Sequence, residues 1–304
     1  MARDITSLKL YCSAVLSSHI SPWSLDPKCV PIPWRTSTIT PPNRKLRIGI
    51  IGDDDGQHTV HPPISRGLLL TRVALEAVGH EVFSWAPTTH PEICALTGEA
   101  FVRLGGAAIM KLTKEHDEPV FGSMKPYEHY YEAGENDTLG PTKLREMIVR
   151  RNALQKKYSD RWNETGKEGK GVMDAIVCAS SVWTAPRAGV TQDTFSVNWT
   201  SVWNLLGKTI GNVERMIILT SAVLDYAVCT FPVTFADKEK DQKRTNWAPL
   251  NELDGRLQAD YDPDFCHDTP VVLQCVGRRL EEEKVLDMTE IISTTVKDYL
   301  SRGR

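Results

Sequence analysis

Apolar positions along the chain change period several times, and the changes divide it into elements. Ile5, Leu8, Cys12, Val15 and Leu16 recur at helical spacing, which predicts one amphipathic helix at the start. A loop of about twenty-five residues follows, punctuated by Pro22, Pro27, Pro31, Pro33, Pro41 and Pro42. Residues 46–51 read as a short strand running into the turn Gly52-Asp-Asp-Asp-Gly56. Helical periodicity returns over 64–78 and stops at Gly79, and 81–85 reads as a second strand. Strand, helix and strand in that order predict a right-handed crossover and a parallel pair. Residues 88–112 are expected to hold short helices and 116–140 to be rich in loops. A long helix is expected from Pro141, which suits a first helical turn, to about Asn163. Three later runs, 174–179, 227–234 and 271–276, are continuously apolar and read as strands buried on both faces of a sheet. Two helices, 279–288 and 289–300, are expected to close the chain. The pattern is that of an α/β fold.

Composition narrows this picture. The 304 residues are 41% hydrophobic and 25% charged, enough material for a core in one large domain or two ordinary ones. A net charge of −3, with Lys and Arg scattered, gives no reason to expect nucleic acid or an anionic membrane as partner. No apolar run approaches membrane-spanning length. Seven cysteines, an odd number with no C-x-x-C pair, argue against a disulfide framework; Cys178, Cys229 and Cys275 sit in apolar runs as small core residues. The first residues lack the apolar core of a signal peptide, so the expected compartment is a reducing cytoplasm.

Candidate chemistry is sparse. Gly49 and Gly52 are not in dinucleotide-binding spacing, and three aspartates stand where a pyrophosphate would lie. No cofactor is expected. His58 and His61 beside Asp53, Asp54 and Asp55 are the one cluster of metal-ligating types, and it reads more simply as an acidic loop, so no metal is expected either. His267 adjoins Cys266, but sequence neighbours seldom face each other. Ser180-Ser181 follows a buried strand without the flanking glycines of a strained nucleophile turn. From the residues alone, no catalytic constellation is complete.

A family resemblance adds what the residues do not. Tyr261-Asp-Pro-Asp-Phe265 and the run Thr269-Pro-Val-Val-Leu-Gln-Cys-Val-Gly-Arg-Arg-Leu-Glu-Glu-Glu-Lys-Val-Leu286 resemble the closing segment of fungal acetamidase-type amidases, approximately YDPE-x-F and APVGLQLVGRRLEDEKVL. Pro31-Ile-Pro-Trp-Arg35, Arg47-Ile-Gly-Ile-Ile-Gly-Asp53 with His61-Pro-Pro63, Trp199-Thr-Ser-Val-Trp-Asn-Leu-Leu206, Asp225-Tyr-Ala-Val-Cys-Thr-Phe-Pro-Val233 and Pro249-Leu-Asn251 follow in the family's order. The resemblance implies the amidase-signature fold, with a mixed, largely parallel central sheet flanked by helices. It implies hydrolysis of a carboxylic amide to a carboxylate and ammonia or an amine.

Two departures qualify that implication. Met1-Ala-Arg3 resembles the segment that follows the family's Gly/Ser-rich signature, so residues 1–304 correspond to a single domain equivalent to the carboxy-terminal half. The Lys–Ser–Ser catalytic segment and the oxyanion hole have no counterpart here. The expectation is therefore a chain with no catalytic residue of its own, inactive alone. The alternative is a non-catalytic binding protein, or one half of a split amidase that pairs with a complementing amino-terminal half or with itself as a homo-oligomer. Second, residues 207–224 separate Asn204-Leu-Leu206 from Asp225-Tyr226, which the family runs together as N-L-L-D-Y. An unspliced intron is expected there, with a surface insertion as the alternative. What the half would contribute is substrate-pocket wall, with Trp183, Thr200 and Trp203 as candidates, although the tryptophans read equally well as core.

Overall fold

The computed structural model describes residues 4–27, 29–35, 44–133, 140–167, 169–189, 194, 196–203 and 226–302. The expected intron or insertion at 207–224, and the Met1–Arg3 segment, lie outside the described residues. Among the described residues five strands form one sheet: β1 (Arg47–Ile50), β2 (Glu81–Ser84), β3 (Ala175–Ala179), β4 (Val228–Phe235) and β5 (Pro270–Val276), in the spatial order β2-β1-β3-β5-β4. β1 pairs in parallel with β2 and with β3, while β5 runs antiparallel to both β3 and β4. Four strands thus point one way and β5 the other, a mixed sheet with helices packed on it.

The helices are α1 (Ile5–Val15), α2 (Pro62–Ala77), α3 (His90–Ala100), α4 (Gly106–Glu115), α5 (Lys125–Ala133), α6 (Pro141–Glu164), α7 (Asn198–Ser201), α8 (Glu252–Ala259), α9 (Pro263–Cys266) and α10 (Glu282–Arg302). α2 shows why the sequence ends where it does. Pro62 and Pro63 open it, where a missing N–H costs nothing. Gly79, at φ +85°, closes it: its N–H donates to the Glu76 carbonyl at 2.9 Å and the His80 N–H to that of Leu75 at 3.0 Å. That pair of bonds is the Schellman arrangement, which favours glycine. α2 links β1 to β2 as the crossover that the pattern predicts. α6 buries Met147, Leu154, Tyr158 and Trp162 along one stripe.

Three expectations need correction. Residues 116–140 are not only loop, because α5 forms within them; Tyr127 packs over Gly106 of α4, a tertiary contact that the local pattern does not announce. The two closing helices are one, α10, with Met288 and Thr289 both buried and the Thr289 hydroxyl donating to the Val285 carbonyl at 2.6 Å inside the same helix. β3 and most of β5 are buried on both faces, but β4 alternates, with Val228, Thr230 and Pro232 outward. β4 is an edge strand, which is also where a proline such as Pro232 is tolerated. Among the described residues no single helix is long and apolar enough to cross a membrane.

Candidate functional site

β1 lies between β2 and β3, so the chain leaves it in one direction and returns on its other side. In open α/β sheets the crevice outside the carboxyl ends of the strands at such a reversal is the usual ligand site. Three segments meet there. The first is the acidic loop 51–61 after β1. The second is 180–186 after β3, joined to the first by the His61 N–H donating to the Val182 carbonyl at 2.9 Å. The third is 196–203, which carries α7.

The acidic loop is built on its own carboxylates. Asp55 Oδ1 accepts from the backbone N–H groups of Gln57 at 2.9 Å and His58 at 2.7 Å. Gly56 takes φ +88°, and a side chain on it would meet Pro91 at 3.1 Å. Asp254, buried at the start of α8, accepts from the Thr59 N–H at 2.7 Å, the Thr59 hydroxyl at 3.1 Å and the Leu250 N–H at 2.9 Å. Arg244 donates to the Val60 carbonyl and the Ser65 hydroxyl, each at 2.6 Å. The loop is therefore clamped from α8 and from the segment before it.

Segment 196–203 is tied to the loop and to the sheet. Asn198 Nδ2 donates to Gln57 Oε1 at 2.6 Å, and the His58 Nδ1 and Ser196 Oγ lie 2.7 Å apart. Gln274 of β5 donates to the carbonyls of Trp199 at 2.7 Å and Ala179 at 2.6 Å, holding the third segment to the end of β3. Burial pushes the Asp55 carboxyl above its usual range, against the two backbone bonds that oppose the shift. Burial likewise holds His58 below the usual imidazole range, with Asp55 and Asp254 opposing.

Several buried polar atoms in these segments have no hydrogen-bond partner among the described residues: Asp55 Oδ2, the indole nitrogens of Trp183 and Trp199, and Thr184 Oγ1.

The residues singled out from sequence fall unequally. Trp183 is buried in the second segment and Thr200 half-buried on α7, its hydroxyl donating to the Val197 carbonyl at 3.1 Å. Trp203 lies deeper, edge-on to His90 at 5.2 Å and to Tyr158 at 6.0 Å, and stacked on Tyr226. The Ser180 hydroxyl donates to the Val272 carbonyl and that of Ser181 accepts from the Trp183 N–H. His61 is engaged through Nε2 to the Leu257 carbonyl at 2.9 Å, so the two histidines of the acidic loop serve different segments. Ser196, Gln57, Asn198, Asp254 and Gln274 were not singled out. Only Gln274 gave a signal, as the lone polar residue of an apolar strand run.

The Amidase family profile matches residues 1–286. The acetamidase of Emericella nidulans is 30% identical over 302 residues, covering 95% of this chain and 49% of its own length. The acetamidase of Aspergillus oryzae is 29% identical, covering 96% of this chain and again 49% of its own. Among solved structures, a fatty acid amide hydrolase superposes with a TM-score of 0.78 at 24% identity, over 97% of this chain and 47% of that one, a likeness of fold. The chain spans about half the length of the curated relatives it matches. With the family's motifs in order and its profile matched over nearly the whole length, this chain belongs to the amidase family.

Proposed function

We propose that the chain is the carboxy-terminal half of an amide hydrolase acting on a small-molecule amide in the cytoplasm. It forms part of the substrate pocket and depends for amide hydrolysis on an amino-terminal half, fused or separate, that brings the Gly/Ser-rich segment. The observation that carries this reading is the coverage: curated acetamidases align along this chain over only half their own length. The 304 residues hold no Gly/Ser-rich signature. Trp183 and Thr200 are proposed as pocket wall with Trp203 behind them, and the unpartnered indole N–H of Trp183 is a donor suited to an amide oxygen.

Residues 207–224 are proposed to be a retained intron or an insertion that the working protein does not need. The Tyr226 N–H donates to the Trp203 carbonyl at 3.3 Å, so the chain leaves and returns at one place. Joining Leu206 to Asp225 would leave four residues between these two, enough for a turn at a helix end.

Complementation tests the main reading. The chain should not hydrolyse acetamide or aryl amides alone, and should gain turnover when an amino-terminal half with the Gly/Ser-rich segment is co-expressed or fused ahead of Met1. Amide turnover by the chain alone would refute the dependence, and a folded but inert complex would refute the amidase reading.

A further inference from the structure

Ser196 and His58 stand 138 positions apart in the sequence and meet at 2.7 Å. Neither has a part in the amide chemistry proposed above, whose nucleophile would come from the Gly/Ser-rich segment. We propose that Ser196 and His58 form an independent nucleophile–base pair that takes up acyl or phosphonyl groups from activated esters. A nucleophile and a base drawn from separate segments and held within hydrogen-bond reach are the arrangement such chemistry requires.

Both partners are held in place. The backbone N–H of His58 donates to Asp55 Oδ1 at 2.7 Å, which fixes the main chain there, and two residues beyond Ser196 the Asn198 side-chain amide donates to Gln57 at 2.6 Å. In the tautomer with its proton on Nε2, His58 presents a bare Nδ1 to the Ser196 hydroxyl. Burial favours the neutral ring, so imidazole rather than imidazolium faces the serine at neutral pH. The charged groups that act on the ring are Asp55 on the same loop and Asp254 on α8, and both favour the imidazolium that forms when the proton arrives. Ser196 is half-buried, so the residue keeps part of its surface in solvent.

The step balances with water as the only co-reactant. Ser196 Oγ attacks the carbonyl carbon of an aryl ester as its proton passes to His58 Nδ1. The C–O bond to the phenol breaks, the phenolate leaves with the electron pair, and it takes the proton from His58. Water then attacks the acyl carbon, giving its proton through His58 to the departing Ser196 Oγ. With a fluorophosphonate the sequence stops halfway: the Oγ–P bond forms, the P–F bond breaks, and fluoride leaves.

The test treats the intact chain with a biotinylated fluorophosphonate and maps the label by peptide mass spectrometry. One label on Ser196 is expected, with Ser196→Ala losing at least about tenfold of the signal. His58→Gln should slow labelling by about a hundredfold at pH 7.5, the low end of what a general base contributes. The rate should rise with pH through the depressed His58 titration and be level above neutrality. Absence of labelling, a label on Ser180 or Ser181, or an unchanged rate in His58→Gln would overturn the proposal. The wild-type label map needs no variant to fold, and imidazole added to His58→Ala should restore the rate only where the lost function is that of a base. Failure here leaves the amidase reading standing, because complementation tests that one separately.

Discussion

At the scale of the residue, two buried histidines link packing to pH. His61 lies 4.8 Å from the Tyr261 ring and burial depresses it to about 4; His90, between Tyr158 and Trp203, is pushed down to about 3. In the unfolded chain each titrates near 6.5. Below that value the unfolded state binds more protons than the folded one, so stability rises with pH through the window. The contribution is complete above about pH 6.5 and drains away as pH falls toward the folded values; for His61 it amounts to roughly 3 kcal/mol. The urea midpoint should therefore fall steeply from pH 6.5 to 4. His90→Gln, which keeps a hydrogen-bonding group for Tyr158 without titrating, should remove about one proton from that slope. An unchanged slope would mean that His90 is not held neutral. The sequence exposed the histidines as residues but not their environments, since the rings that bury His90 come from 158 and 203.

At the scale of the element, Gly67 of α2 lies close against β5. A Cβ there would sit 2.7 Å from Val271 Cγ1 of β5. In an exposed helix interior, Gly→Ala is ordinarily stabilising by up to about 1 kcal/mol. Here the overlap should reverse the sign, with Gly67→Ala costing about 1–3 kcal/mol of unfolding free energy. The double variant with Val271→Ala should couple, losing less than the two single changes added together. Strict additivity in chemical denaturation would show that α2 does not seat on β5 as described. The periodicity of α2 and the capping role of Gly79 were legible in the sequence; the use of Gly67 was not, because its reason lies some two hundred residues away in β5. α5 and the continuity of α10 escaped for the same reason: contacts with other elements decide them.

At the scale of the whole molecule, the Trp203 and Tyr226 pair sets a test of residues 207–224. The rings stack at 6.5 Å and the backbones are joined at 3.3 Å across a connection running from 204 to 225. Deleting 207–224 shortens that connection from 22 residues to 4, since 225 − 204 + 1 = 22 and 18 of them are removed. Loop-closure entropy alone then favours the shorter chain by about 1.5 kcal/mol. The deleted protein should unfold at a higher temperature in a thermal melt. A loss of stability would show that the segment is part of the fold.

What the sequence by itself determined is local or periodic: the crossover β1–α2–β2, the apolar strands, the helix stop at Gly79, and a family whose motifs stand in order from Pro31 to Leu286. Those features depend on residues within a turn or two of one another, or on a pattern that repeats. What only the tertiary structure decided is which strands are neighbours, that β5 runs against the rest, that β4 is an edge, and that Ser196 faces His58. These are consequences of burying one common apolar surface. A chain folding back on itself brings together residues whose spacing in sequence carries no trace of the contact.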